Sequence, residues 1–93
     1  MEVQSLVAWN LRKLRVERGV SQDDLAYAAD IERAYVGRLE QGMRNPTVVT
    51  LDKLAKALGI HISALFREPS PDEQVPETLQ AGRKRQQPKR AKG

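Results

Sequence analysis

Residues 21–42 carry apolar residues at spacings that fit two short helices joined by a tight turn. The first apolar group recurs along one helical face, and the second group gives a new helix its own inner face. These positions are Leu25, Ala26 and Ala29, then Ile31, Val36 and Leu39. Asp30 falls where the chain must turn, and aspartate enters the left-handed backbone conformation at modest cost. The spacing therefore predicts a helix pair joined at Asp30.

Capping residues predict where the other helices begin and end. Ser21 is placed to cap the first helix of the pair, and Thr47 a later helix, because hydroxyl oxygens accept amide protons of a first helical turn. Gly59 follows an apolar stripe and predicts a helix end. A leading helix over about 5–18 and a short closing helix over about 62–67 complete the pattern. The fold class predicted is a compact all-α domain of five helices.

The composition changes near residue 68 and predicts two parts. Residues 1–68 hold ten Lys and Arg residues against nine Asp and Glu, whereas residues 69–93 hold six against three. Prolines punctuate the second part, which has almost no apolar residues to bury. We expect a folded domain over residues 1–68 and a disordered basic tail over residues 69–93.

The residue types argue against several function classes. The chain has no cysteine and one histidine, so one copy cannot build a disulfide, a thiolate metal site or a His-dependent nucleophilic site of the usual kind. It contains no glycine-rich phosphate loop, and its apolar stretches are far shorter than the roughly 20 residues that span a bilayer. We expect no enzymatic activity, cofactor, metal or membrane partner, and a cytoplasmic location with the nucleoid.

A wider set of spaced residues resembles the Xre/Cro family of lambda-repressor-like DNA-binding domains, over about residues 5–66. The matching residues are Gln22, Leu25, Ala26, Ile31, Val36, Leu39, Glu40, Gly42, Asn45, Pro46, Leu51, Leu54, Ala55, Leu58 and Gly59. The chain departs from the family pattern at Asp30, where glycine is usual, and at Glu32, where a small hydroxyl residue is usual. Residues 24–42 look especially like those of restriction-modification controllers.

The resemblance implies that the second helix of the pair enters the major groove of DNA. If Val36 and Leu39 are buried, Ala34 and Arg38 face outward, and Arg33 projects from the first turn. We expect base contacts from these three residues, because a guanidinium can donate two hydrogen bonds to one guanine and alanine can pack on a thymine methyl. The alternative is that the arginines contact only phosphates. Gly37, in mid-helix, indicates a close approach by DNA or by a neighbouring helix.

Phosphate contacts need hydrogen-bond donors at the edges of the pair. The start of its first helix suits a phosphate because its amides and positive dipole end face outward. The resemblance also gives Gln22 a backbone contact. The candidates for phosphate contact are Ser21, Gln22, Tyr35, Gln41, Arg44 and Asn45. A solvated surface without a DNA contact is the alternative for each.

Two structural roles also come from the resemblance. Glu40 is expected to pair with Arg15 of the leading helix and to lock the two helices together. Family members often dimerise near the last helix, which makes four apolar residues candidates for a dimer interface: Ile60, Ile62, Leu65 and Phe66. A role in the core alone is the alternative for these four.

Together these features predict a sequence-specific transcriptional regulator that binds a palindromic double-stranded DNA operator as a homodimer. Restriction-modification controller, phage or mobile-element repressor and antitoxin stay open as variants of this function. A protein-interaction adaptor on the same fold is the alternative from another class, with tail residues Arg83 to Lys92 contacting an acidic protein partner. The sequence alone leaves open the operator, the genes controlled and the sign of regulation.

Overall fold

The computed structural model describes residues 1–73, and over this range the chain is all-α. Four α-helices precede a short 3₁₀ helix: α1 (Val3–Glu17), α2 (Gln22–Ala29), α3 (Arg33–Glu40), α4 (Val48–Leu58) and the 3₁₀ helix (Ile62–Phe66). The predicted all-α class is confirmed. The fifth element is a 3₁₀ helix because five residues allow little more than one turn, and short helical segments commonly tighten into this form.

The helix ends follow the local chemistry of the sequence. The Ser21 hydroxyl accepts the amide of Asp24 at 3.0 Å at the start of α2, and the Thr47 hydroxyl accepts the amide of Thr50 at 3.1 Å at the start of α4. Asp30 ends α2 in the left-handed conformation with φ 58°, and Gly59 ends α4 with φ 70°. These local bonds satisfy terminal amides and fix the lengths of both helices.

The core lies where α1, α2, α3 and α4 meet, and leucines dominate it. Leu11, Leu25, Leu54 and Leu65 have no exposed surface. In the described structure, α2 packs against both α3 and α4, and α1 packs against α3 and the 3₁₀ helix. The 3₁₀ helix therefore closes the core through Leu65, which fits the core role that the sequence left open for this residue.

A buried asparagine fixes the end of the domain. Asn10 is 1% exposed on the inner face of α1, and its side-chain amide donates to the backbone carbonyls of Leu65 at 3.0 Å and Arg67 at 2.8 Å. These carbonyls lie at the end of the 3₁₀ helix, where helical hydrogen bonding stops. A buried polar group is costly unless it is hydrogen-bonded. The Asn10 amide therefore sets the register on α1 of residues 62–73, the closing segment.

The described chain continues beyond the predicted domain end at residue 68. Residues 70–73 form a turn in which the Glu73 carboxylate accepts bonds from Arg67 at 3.0 Å and from the Ser70 amide at 2.7 Å. These two donors hold the pKa of Glu73 down at about 2. Lys13 of α1 lies 3.8 Å from the same carboxylate. The remainder of the predicted tail, including residues 83–92, lies outside the described residues.

Candidate nucleic-acid interface

The α2–α3 pair presents one face of α3 to solvent. Val36, Leu39 and Glu40 turn inward, with exposed fractions of 0%, 1% and 4%. On the opposite side, Ala34 and Arg38 are exposed. This division follows from the 3.6-residue period of the helix, so the burial of the inner face determines which residues point outward.

A buried hydrogen-bond network fixes how α3 sits against its neighbours. The Arg15 guanidinium donates to both carboxylate oxygens of Glu40, at 2.6 and 2.9 Å, and to the carbonyl of Val20 at 2.8 Å. The side-chain amide of Gln22 donates to the same carboxylate at 3.0 Å. The ion pair that the resemblance implied is thus present, and it joins α1, α2 and α3 through one carboxylate. Rigid placement of α3 is what a surface that reads another molecule requires.

The three residues expected to contact bases differ in their surroundings. Ala34 is exposed, and no hydrogen bond from residues 1–73 restrains the exposed Arg38 guanidinium. Arg33 is half exposed, but its Nε donates to Asp23 of α2 at 3.2 Å. Its guanidinium therefore folds back across the gap between α2 and α3, and only Ala34 and Arg38 lie unrestrained on the outer face.

The residues expected to contact phosphates divide between the two ends of the pair. Ser21 and Gln22 lie together at the start of α2, where Ser21 is the helix cap and Gln22 belongs to the buried network. Gln41, Arg44 and Asn45 are exposed beyond the end of α3. Donors thus lie on both sides of the outward face of α3.

Tyr35 packs within the fold and supports the loop after α3. Its ring packs partly against the core, and the Arg44 guanidinium lies 6.0 Å from the ring centroid. The Arg44 carbonyl accepts a bond from the side-chain amide of Gln4 at 3.3 Å. These two contacts hold the loop after α3 against Tyr35 and α1, so the ring positions Arg44 beside the outward face of α3.

An open polar pocket lies beside the start of α2. It has a volume of about 330 Å³ and is lined by Arg12, Gln22, Arg33, Gly37, Glu40 and Gln41. Sequence reasoning missed Arg12, although this residue lies one turn before Arg15 on α1. Its helical spacing from Arg15 was the available signal, since residues three apart share a helix face.

The four candidate dimer residues occupy two environments. Ile60 and Ile62 are partly buried against the core, and Phe66 is 42% exposed. Leu65 belongs to the core, as described above. An apolar surface near the end of the domain therefore comprises Ile60, Ile62 and Phe66.

Residues 1–73 include no candidate for a membrane-spanning helix or a metal site. Within this range, no helix combines the length and apolarity needed to cross a bilayer. The same residues include no group of three or more His, Cys, Asp or Glu side chains arranged to hold a metal ion.

Comparison with known proteins identifies the fold. The helix-turn-helix family model matches residues 11–65. The chain belongs to this family. The matched residues contain most of the core, the α2–α3 pair and Leu65, and all six residues that line the polar pocket.

Similar proteins are named as a transcriptional regulator and as a restriction-modification controller. An uncharacterised helix-turn-helix transcriptional regulator, y4dJ of Sinorhizobium fredii, is 42% identical over 60 residues, covering 64% of this chain and 78% of the relative. The restriction-modification controller protein C.AhdI from Aeromonas hydrophila is 41% identical with a TM-score of 0.66, over 68% of this chain and 96% of that chain.

A second similar structure includes DNA. It contains the controller protein C.Esp1396I as a tetramer in complex with its natural 35 base-pair operator. That protein is 32% identical to this chain with a TM-score of 0.66, over 71% of this chain and 87% of that chain. The family thus includes a member whose structure contains both an oligomer and an operator.

Proposed function

We propose that this protein is a sequence-specific transcriptional regulator that binds a palindromic double-stranded DNA operator as a homodimer. The observation that carries the proposal is the exposed face of α3, held rigidly by the buried Arg15–Glu40–Gln22 network. A helix fixed in this way can enter a major groove without losing much conformational entropy on binding. The protein acts by binding alone and catalyses no reaction.

Arg38 is the principal base-reading residue in this proposal. Its guanidinium is exposed on the outward face, so both terminal nitrogens can approach one guanine from the major groove. Such a bidentate contact contributes about 1–3 kcal/mol of discrimination against other bases. Ala34, on the same face, has the size to pack against a thymine methyl.

A second copy supplies the length of DNA that one recognition helix lacks. One α3 covers only a few base pairs, whereas two copies about one helical turn apart read a symmetric site. The apolar surface formed by the partly buried Ile60 and Ile62 and the exposed Phe66 is the proposed contact between the copies. The tetramer of C.Esp1396I on its operator supports assembly of this kind within the family.

Selection of bound duplexes from a random library, at about physiological salt, tests the proposal. We expect the full chain to enrich one palindromic motif, and Arg38→Ala to change the preference at one position in each half-site. Lys53→Ala is the matched control, because Lys53 is an exposed cation on α4, away from the α3 face. Failure of the full chain to enrich a motif would overturn sequence-specific binding, and a motif without symmetry would overturn the homodimer.

A further inference from the structure

Gly37 lies in the middle of α3, where glycine is the least favourable residue after proline. Its backbone is not in the left-handed region, so backbone conformation does not require a glycine. A Cβ built at this position would meet Arg33 Nη1 at 3.7 Å and Gln22 Oε1 at 3.8 Å, which are ordinary van der Waals distances. The fold therefore has room for alanine at this position, and packing within residues 1–73 does not require glycine there.

Gly37 is part of the polar pocket, and the pocket suits an anion. Two arginines, Arg12 and Arg33, line it. The one carboxylate in its lining, that of Glu40, already accepts bonds from Arg15 and Gln22, so its negative charge is compensated. A partly enclosed site with two guanidinium groups and a compensated carboxylate favours a ligand that has negative charge and several acceptor oxygens.

The Arg33 guanidinium is directed toward the polar pocket. Asp23 accepts a bond from Nε, which leaves the two terminal nitrogens of the guanidinium for another acceptor. Nη1 lies close to Gly37, as the 3.7 Å distance to the built Cβ shows. Asp23 thus holds Arg33 with its terminal nitrogens beside the pocket and away from the outer face of α3 that Arg38 occupies.

We propose that a phosphate of the DNA backbone binds in this pocket with Arg33 as its ligand. Gly37 is a glycine because the backbone of the DNA passes through the space that a side chain would fill. The inference rests on the proposed DNA-binding function and assigns Arg33 to the DNA backbone, leaving base reading to Arg38 and Ala34.

Gly37→Ala separates the stability of the free protein from its affinity for DNA. We expect Tm to rise by about 4–8 °C, because alanine is the better helix former and the pocket accepts its methyl group. We expect affinity for the selected operator to fall at least about tenfold, because the methyl group displaces the DNA backbone. Ala28→Ser is the control: it also adds one heavy atom to a helix, but Ala28 is exposed at the α2–α4 side, so affinity stays at the wild-type value.

Arg33→Ala tests the phosphate contact itself. Each phosphate that a protein neutralises contributes about 0.9 to the slope of log affinity against log salt concentration, so the magnitude of the slope falls by about that amount. The loss of affinity is also uniform across operators that differ by one base pair, because phosphates carry no sequence information. Titrations of the full chain with the selected operator and with a random duplex of equal length provide both quantities.

Three results would overturn the inference. Wild-type affinity in Gly37→Ala would show that no DNA approaches this position, and a lower Tm would show that the fold itself needs the glycine. A loss in Arg33→Ala that is confined to one base pair would return Arg33 to base reading. A wild-type chain that binds all duplexes equally would contradict the proposed sequence specificity, yet the same variants on a random duplex still test the phosphate site.

Discussion

Arg15 is the largest side chain that the described fold buries completely. Its charge is tolerated because Glu40 pairs with it through two hydrogen bonds and the Val20 carbonyl accepts a third. A buried pair of this kind adds little net stability over apolar residues, since both charges lose their water, but either charge left alone is strongly destabilising. Its main effect is therefore on geometry, because it holds α3 in one orientation on α1.

Replacing one member of the Arg15–Glu40 pair, or both members, tests how the pair affects the stability of the fold. We expect Arg15→Met to lower the free energy of unfolding by about 3–5 kcal/mol, because Glu40 is left buried without its cation. The double variant Arg15→Met/Glu40→Leu should be more stable than Arg15→Met, since no unpaired charge remains. Urea unfolding followed by circular dichroism measures both values. A double variant less stable than the single one would show that Glu40 stabilises the fold without Arg15, for example through Gln22.

The turn between α2 and α3 is closed by a residue other than glycine. Asp30 adopts φ 58°, and in residues 1–73 it is the one non-glycine residue with positive φ. This conformation crowds a Cβ atom, which glycine lacks. The helix pair therefore closes with some backbone strain that a glycine would remove.

Asp30→Gly tests that strain. We expect the free energy of unfolding to rise by about 0.5–1 kcal/mol, which is the relief of strain less the greater entropy of glycine in the unfolded chain. Gly59→Ala is the reciprocal variant, because Gly59 has φ 70° and no neighbouring atom within 4 Å of a built Cβ. It should lose about 1 kcal/mol through strain alone. A loss of stability in Asp30→Gly would show that the aspartate side chain supports the turn.

Local chemistry explains which elements the sequence could predict. Ser21, Thr47 and Asp30 act on amides or dihedral angles within three residues of themselves, so the helix pair and the start of α4 were visible in the sequence. The 3₁₀ form of the last helix was not visible, because a short apolar stripe fits either helical form.

Contacts between distant segments explain what the sequence did not predict in the fold and in the candidate site. Asn10 bonds carbonyls 55 and 57 residues away, and periodicity gives no partner for a polar residue on an inner face. The bond from Arg33 to Asp23 joins two helices whose relative placement depends on the whole core. The outward face of α3 was predictable from helical period, whereas the direction of a long side chain on that face was not.

At the scale of the whole molecule, α1 connects the α2–α3 pair to the closing segment. Its inner face holds the network around Arg15 and, through Asn10, the end of the 3₁₀ helix. Lys13, on a more exposed side, lies near Glu73. The closing segment and α3 therefore both pack on one helix.

Glu73 is the group that makes the closing segment sensitive to acid. Its pKa is lowered from 4.5 to about 2, chiefly by the hydrogen bond from Arg67 and next by the Ser70 amide. Because the pKa in the folded protein lies below the unfolded value, the contact stabilises the turn fully at pH values well above 4.5. This stabilisation is lost as the pH falls from about 4.5 through about 2.

The Ser70 amide reports this titration directly, because it donates to the carboxylate at 2.7 Å. We expect its NMR chemical shift to titrate with a midpoint at about pH 2, and the midpoint to move toward 4.5 at high salt because the ion pair is partly exposed. Glu73→Gln should abolish the transition, whereas Glu68→Gln, an equal loss of charge at an exposed carboxylate outside this network, should leave the midpoint in place. A wild-type midpoint near 4.5 at low salt would mean that Arg67 and Ser70 do not hold Glu73 in solution, and that the turn over residues 70–73 is not closed by this carboxylate.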